Sequence, residues 1–289
     1  MVLEHLFPED WLEKKSQYGF LLGIGYSIIA ILIASILFPQ DPALVAVAFT
    51  SLLILPELYK LFSIEEKLEE REKKFSFKEL FKDNKDFVKV YLFIALGIFI
   101  VYAISALLLP SFQVNDLFRE QLEMRGAGVA VGGEAVFQQP LFMDILINNL
   151  WVLVVIFFIS LLTGDGAIFL ITWNASMWGT IFGVTARNAA VFSDANPLFY
   201  LLLVLIIVLP HAFIELLSYI LAAISGGVIS KDVLLEKFES KRFNEVFTYN
   251  VWLFFLAILV LIVGAIIETF VLGNVTTYSD LIQMSYMVG

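Results

Sequence analysis

The chain has no cysteine among its 289 residues. That excludes disulfides, thiolate metal sites, a cysteine nucleophile and c-type haem attachment. Charge is scarce too: only 16 % of residues are Asp, Glu, Lys or Arg, against about a quarter in an ordinary soluble domain. Histidine occurs twice, as His5 and His211. With no HExxH or GxSxG pattern, and one histidine in apolar sequence, the frameworks for zinc or serine hydrolysis are missing. The glycine-rich stretch GAGVAVGGEA (126–135) follows no strand and precedes no GK[ST], so it carries no nucleotide signature. The chain is expected not to be an enzyme, with no cofactor, no metal and no nucleic-acid partner.

What abounds is apolar. Hydrophobic residues make up 60 %, Phe alone occurs 28 times, and mean hydropathy is +0.88. The net charge of −10 says little about partners, because the charges are segregated into a few polar segments. The start, VLEHLFPEDWLEKK, is amphipathic and acidic, and the first long apolar stretch has full span length, so no cleaved signal is expected.

Apolar stretches run at about 18–38, 42–59, 88–109, 141–162, 166–184, 197–229 and 249–272. A spanning helix needs roughly 20 residues, so six fit directly. The sixth stretch is too long for one straight crossing and too short for two comfortable ones. The cations resolve it. Of 18 Lys and Arg, Lys14 and Lys15 precede the first span, nine lie between Lys60 and Lys89, and four lie between Lys231 and Arg242. Only Arg119, Arg125 and Arg187 lie elsewhere. Short basic loops stay cytoplasmic, and one net crossing by the sixth stretch puts all fifteen clustered cations on one side. The fold class expected is all-α: a polytopic transmembrane helix bundle of about seven spans, the sixth long or broken near Pro210. The amino terminus is expected in the cytoplasm and the carboxyl terminus outside, in the cell membrane. A proline inside a span frees a backbone carbonyl, which protein or water must then satisfy.

Three regions follow. Residues 1–55 hold the amino-terminal segment and first two spans, the second reaching 59. Residues 56–89 form a charged cytoplasmic helical insertion. Residues 90–289 form the membrane core, with an outer loop at 111–140 and a cytoplasmic loop at 230–248. In the insertion, Glu69 with Lys73 and Glu70 with Lys74 sit four apart in the favourable helical order. Phe77, Leu80 and Phe81 share one face of a basic amphipathic helix expected on the inner surface; a solvated hairpin is the alternative. A short helix is expected at 116–124 in the outer loop. Asn274-Val275-Thr276 is an N-x-[ST] acceptor on the outer side of this topology.

Polar residues inside apolar sequence are the functional candidates. Asn148 and Asn149 lie about two turns into the fourth span, and Asn174 about two turns into the fifth. Pro210, His211 and Glu215 lie in the sixth, the last two sharing a helix face at a spacing of four. These groups are expected to face the interior, with His211 and Glu215 bonded and an asparagine nearby. Glu268 sits a turn from the end of the last span, shallow enough to reach the headgroups. Gly164, Gly179, Gly183, Gly226 and Gly227 are candidate packing positions, where small residues let helix backbones meet. The polar set can act as structural glue, or as a transport path with His211 and Glu215 relaying a proton.

The same residues carry a family resemblance. The NNL opening of a span (148–150), Gly164, Asn174, and PHAFIE leading to Gly226-Gly227 resemble the stage II sporulation protein M family, over about 141–229. The chain departs from that pattern at Ala212 and Ala175, where the family has glycine, and at Ser218-Tyr219. The resemblance implies a prokaryotic integral membrane protein. Its sporulating member is a membrane anchor and scaffold for cell-wall hydrolases during engulfment; the role of relatives in prokaryotes that never sporulate is largely unassigned. What carries over is a non-enzymatic scaffold or assembly protein that anchors partners in the lipid bilayer. Those partners are other membrane or surface proteins, with homo-oligomerisation open. The alternative is a small-solute or proton-coupled transporter using His211 and Glu215.

Overall fold

The computed structural model describes residues 15–69, 84–126, 139–235 and 240–287. The amphipathic insertion helix, its Glu–Lys pairs, the glycine-rich loop and His5 lie outside the described residues. Every regular element described is helical: α1 (Tyr18–Leu37), α2 (Pro42–Glu69), α3 (Lys85–Leu108), α4 (Ser111–Leu117), α5 (Arg119–Gly126), α6 (Gln139–Thr163), α7 (Ile168–Ser193), α8 (Pro197–Leu235), α9 (Lys241–Asn274) and α10 (Thr276–Tyr286). In hydrocarbon a helix is the form that satisfies its own backbone, so long apolar runs become long helices. Seven of those described are long and apolar enough to cross a membrane: α1, α2, α3, α6, α7, α8 and α9.

Alternating crossings define two ends. The proximal end carries Tyr18, Lys85, Asp165 and Lys231; the distal end carries Leu37, Pro42, Leu108 and Pro197. Helix α7 is the most buried span and the least apolar, and α6 the least buried. Helices α2 and α3 pack on α7, α1 packs on α2 and α3, and α6 and α9 gather on α8, which meets α7.

Three of these seams close backbone to backbone through glycine. A Cβ added to Gly97 of α3 would lie 2.9 Å from the Ile24 nitrogen of α1 and 3.1 Å from Gly23 Cα. One on Gly179 of α7 would lie 2.9 Å from Tyr102 Cβ, and one on Gly183 would lie 2.9 Å from Ala106 Cβ, both on α3. One on Gly226 of α8 would lie 2.8 Å from Ser160 Cβ of α6. Gly164 has a different use: its φ of 75° is left-handed and its N–H donates to Ser160 O at 2.7 Å, capping α6 with open space around it. Gly227 is buried within α8, which runs eight residues beyond it to Leu235, so the Gly-Gly pair does not end the helix.

Helix α8 is unbroken through Pro210. Its 39 residues extend about 58 Å at 1.5 Å per residue, well over the roughly 30 Å of hydrocarbon. Towards its distal end Leu201, Val204 and Val208 form a second apolar cluster with Phe182, Ala186 and Ala189 of α7 and Leu281 of α10. Nothing in the apolar pattern flagged α10. It folds back after the last span, and Asn188 Nδ2 donates to Ser285 O at 3.1 Å. Helix α2 likewise passes Pro56 without interruption and ends at Glu69.

The expected helix at 116–124 is two short helices, α4 and α5, and they do not lie over the bundle as a loop. Val114, Phe118 and Gln121 are fully buried. The Phe118 ring stands 5.1 Å from that of Tyr102, and Gln121 Nε2 donates to Ser176 Oγ of α7 at 3.3 Å. The segment is a wedge between α2, α3 and α7.

Candidate functional site: an acid pair between three helices

Glu215 is buried in α8. Asn149 of α6 donates from Nδ2 to Glu215 Oε1 at 2.7 Å. The Glu268 carboxyl of α9 lies against that of Glu215. Helix spacing explains the meeting. On α9, Ala257, Leu261, Gly264, Ala265 and Thr269 are buried, so Glu268 continues a stripe of mostly small residues facing α8. Gly264 makes the room: a Cβ there would stand 3.2 Å from Glu215 Cγ. Ser218 Oγ donates to the Glu215 backbone carbonyl at 2.6 Å. Two carboxyls bond each other only through a proton, since an ionised carboxylate is acceptor-only. A hydrogen bond between the two would therefore hold one proton and at most one negative charge.

The set differs from the one expected. Glu268 does not reach for the headgroups; it turns onto Glu215, because its turn of α9 faces α8. His211 is buried one turn from Glu215, but the two are not bonded. Its Nδ1 has no hydrogen-bond partner among the described residues. Asn174 is buried and donates to its own helix, at Leu170 O, 2.8 Å away, and among the described residues no hydrogen bond joins it to the acids. Asn148 is exposed, and reaches the cluster only through its 3.3 Å bond from Nδ2 to Asn149 Oδ1. Pro210 is exposed on the lipid side of α8. Of the expected polar residues, Asn149 and Glu215 meet directly, Asn148 hangs on Asn149, and Glu268 joins them.

Other buried polar groups tie helices in the same way. Ser225 Oγ of α8 donates to Asn250 O of α9 at 2.6 Å. Arg187 Nη1 of α7 donates to Leu109 O, just beyond α3, at 3.0 Å. At the proximal end Lys231 of α8 approaches buried Asp165 at 3.9 Å and lies 5.1 Å over the Tyr59 ring. Burial pushes the Asp165 carboxyl above the usual range, and Lys231 opposes the shift. This junction was not anticipated, although the Gly164-Asp165-Gly166 turn marks it: an acid on a tight turn between two spans has only the bundle end to face.

Fold and site define a polytopic helical membrane protein with an acid pair shared between two spans and steadied by a third. The model of the Stage II sporulation protein M family matches residues 20–271, and the chain belongs to that family. The match reaches far beyond the motif-bearing stretch and takes in the first two spans and the charged insertion. No curated protein and no solved structure gives a significant match.

Proposed function

We propose that the chain is a non-enzymatic membrane scaffold or assembly protein, holding partner proteins at the cell membrane of a prokaryote. The observation that carries this reading is the use made of buried polar groups: Asn149, Glu215, Gln121, Arg187 and Ser225 each bond a group on another segment. They stiffen a bundle whose outward faces are apolar. Such a body presents fixed surfaces to neighbours. The test is a photo-reactive residue placed in intact membranes at exposed positions such as Leu32, Trp151 and Leu259. The scaffold reading expects discrete protein adducts of reproducible mass from at least one face; lipid adducts alone from every face contradict it.

The acid pair favours a second reading, proton-coupled transport, because a shared proton beside buried His211 is the kind of group a relay uses. That reading requires water to reach Glu215 during function.

The proposed orientation keeps the amino terminus in the cytoplasm, on the strength of the fifteen clustered cations. Single cysteines at Lys74 and Gly132 should label from opposite sides of sealed vesicles. Labelling of both from one side would overturn the orientation.

A further inference from the structure

Asn148 is the odd residue on the face of α6 that the bundle leaves uncovered. Exposed Asn148, Trp151, Val155, Phe158 and Leu162 follow one another at spacings of three, four, three and four. This is the a/d alternation of a helix seam that winds against a like helix. The flanks turn inward: Leu153, Ile156 and Ser160 are buried. Asn148 lies nine residues into α6, about 14 Å from its distal end, and so inside the hydrocarbon. Leaving an amide against lipid there is costly. Its bond to Asn149 uses one N–H. The second N–H and the oxygen lone pairs of the Asn148 amide remain.

We propose that this face is the interface of a parallel homodimer, in which α6 packs on α6 of a second copy and the two Asn148 amides bond each other across the axis. Apolar matching does not drive helices together in lipid, since acyl chains are as apolar as leucine; polar contacts and close packing do. The occupant must therefore offer a polar group at the depth of Asn148. A second copy, inserted with the same orientation, does so by symmetry, and an asparagine amide is its own complement as donor and acceptor. A single buried asparagine at such a position also fixes register and favours two strands. Asp144, one turn distal on the same line and exposed, lies about 8 Å from the helix end, nearer the headgroups than Asn148. The bond to Asn149 then links the interface to Glu215, so pairing would steady the acid site.

The chain has no cysteine, so single cysteines report without background. In native membranes, oxidative cross-linking at Trp151 and at Val155 should give a dimer band several-fold stronger than at Leu259, which is exposed on α9 and more so than Val155. Adding Asn148→Leu should reduce the Val155 cross-link about three- to twentyfold, the range that polar bonds between membrane helices span. Asn148→Gln should retain more of it. A Val155 yield no higher than at Leu259, an unchanged yield with Asn148→Leu, or cross-links only to a protein of different mass would each overturn the homodimer.

Discussion

Gly97→Leu and Gly183→Leu are each expected to leave little folded protein, whereas Gly25→Leu is expected to fold normally. The contrast is geometric. A Cβ at position 97 would lie within 3.1 Å of three backbone atoms of α1, and one at 183 would meet Ala103 and Ala106 of α3, whereas one at 25 meets nothing within 4 Å. Backbone cannot step aside as a flexible side chain can, so the helices must separate along the seam. Overpacking a tight core costs about 1–3 kcal/mol and sometimes more; a leucine driven between backbones belongs at the upper end. Unfolding temperature in detergent and monodisperse yield report the effect. Equal tolerance at 25 and 97 would show that α1 and α3 do not approach at Gly23 and Gly97.

The second large effect concerns the acid pair. Glu215→Leu and Glu268→Leu should each destabilise by about 2–3 kcal/mol, because each leaves the other carboxyl buried without its proton-sharing partner. The double substitution should cost less than the sum, with a coupling of at least about 1 kcal/mol. Glu215→Gln should be mild: its amide oxygen can accept from Asn149 while its N–H replaces the shared proton toward Glu268. Asn149→Ala should couple to Glu215→Leu as well, through the 2.7 Å bond. His211→Ala should simply add, since His211 and Glu215 share no bond. A cycle in which His211 couples to Glu215 and Glu268 does not would reverse the assignment of partners. Stabilities measured in one detergent or bilayer at one pH decide it.

The spans were legible because backbone in hydrocarbon has to be helical and hydrocarbon has one thickness, so length and apolar content name the helices. Gly179 and Gly183 announced themselves by their spacing, and they meet α3 as small residues do. What stayed hidden depends on how the helices rotate against one another. Glu215 was visible as an acid in an apolar run, but its partner was not. Residue 211 shares its face at the right spacing, yet a shared face permits contact without choosing it. Glu268 lies 53 positions further along the chain. Only the stripe of Ala257, Gly264 and Ala265 on α9, taken with the buried turn of α8, marks it as inward. Asn148 and Asn149 illustrate the same limit. Adjacent residues on a helix differ by about 100° in direction, so one reaches Glu215 and the other faces outward. The wedge of α4 and α5 was obscured by length, because a short segment between spans scores as a loop, although Val114, Phe118 and Gln121 keep a helical interval.

A scaffold whose acid pair is a tie between helices should not carry protons across the membrane. The most direct measurement is proton flux into sealed liposomes of purified protein, with an imposed pH gradient and membrane potential and a pH-sensitive dye inside. The expected result is a rate equal to that of protein-free vesicles, unchanged by Glu215→Gln or Glu268→Gln. A flux proportional to the protein inserted, and lost with either substitution, would contradict the scaffold and make the shared proton of Glu215 and Glu268 the transported one.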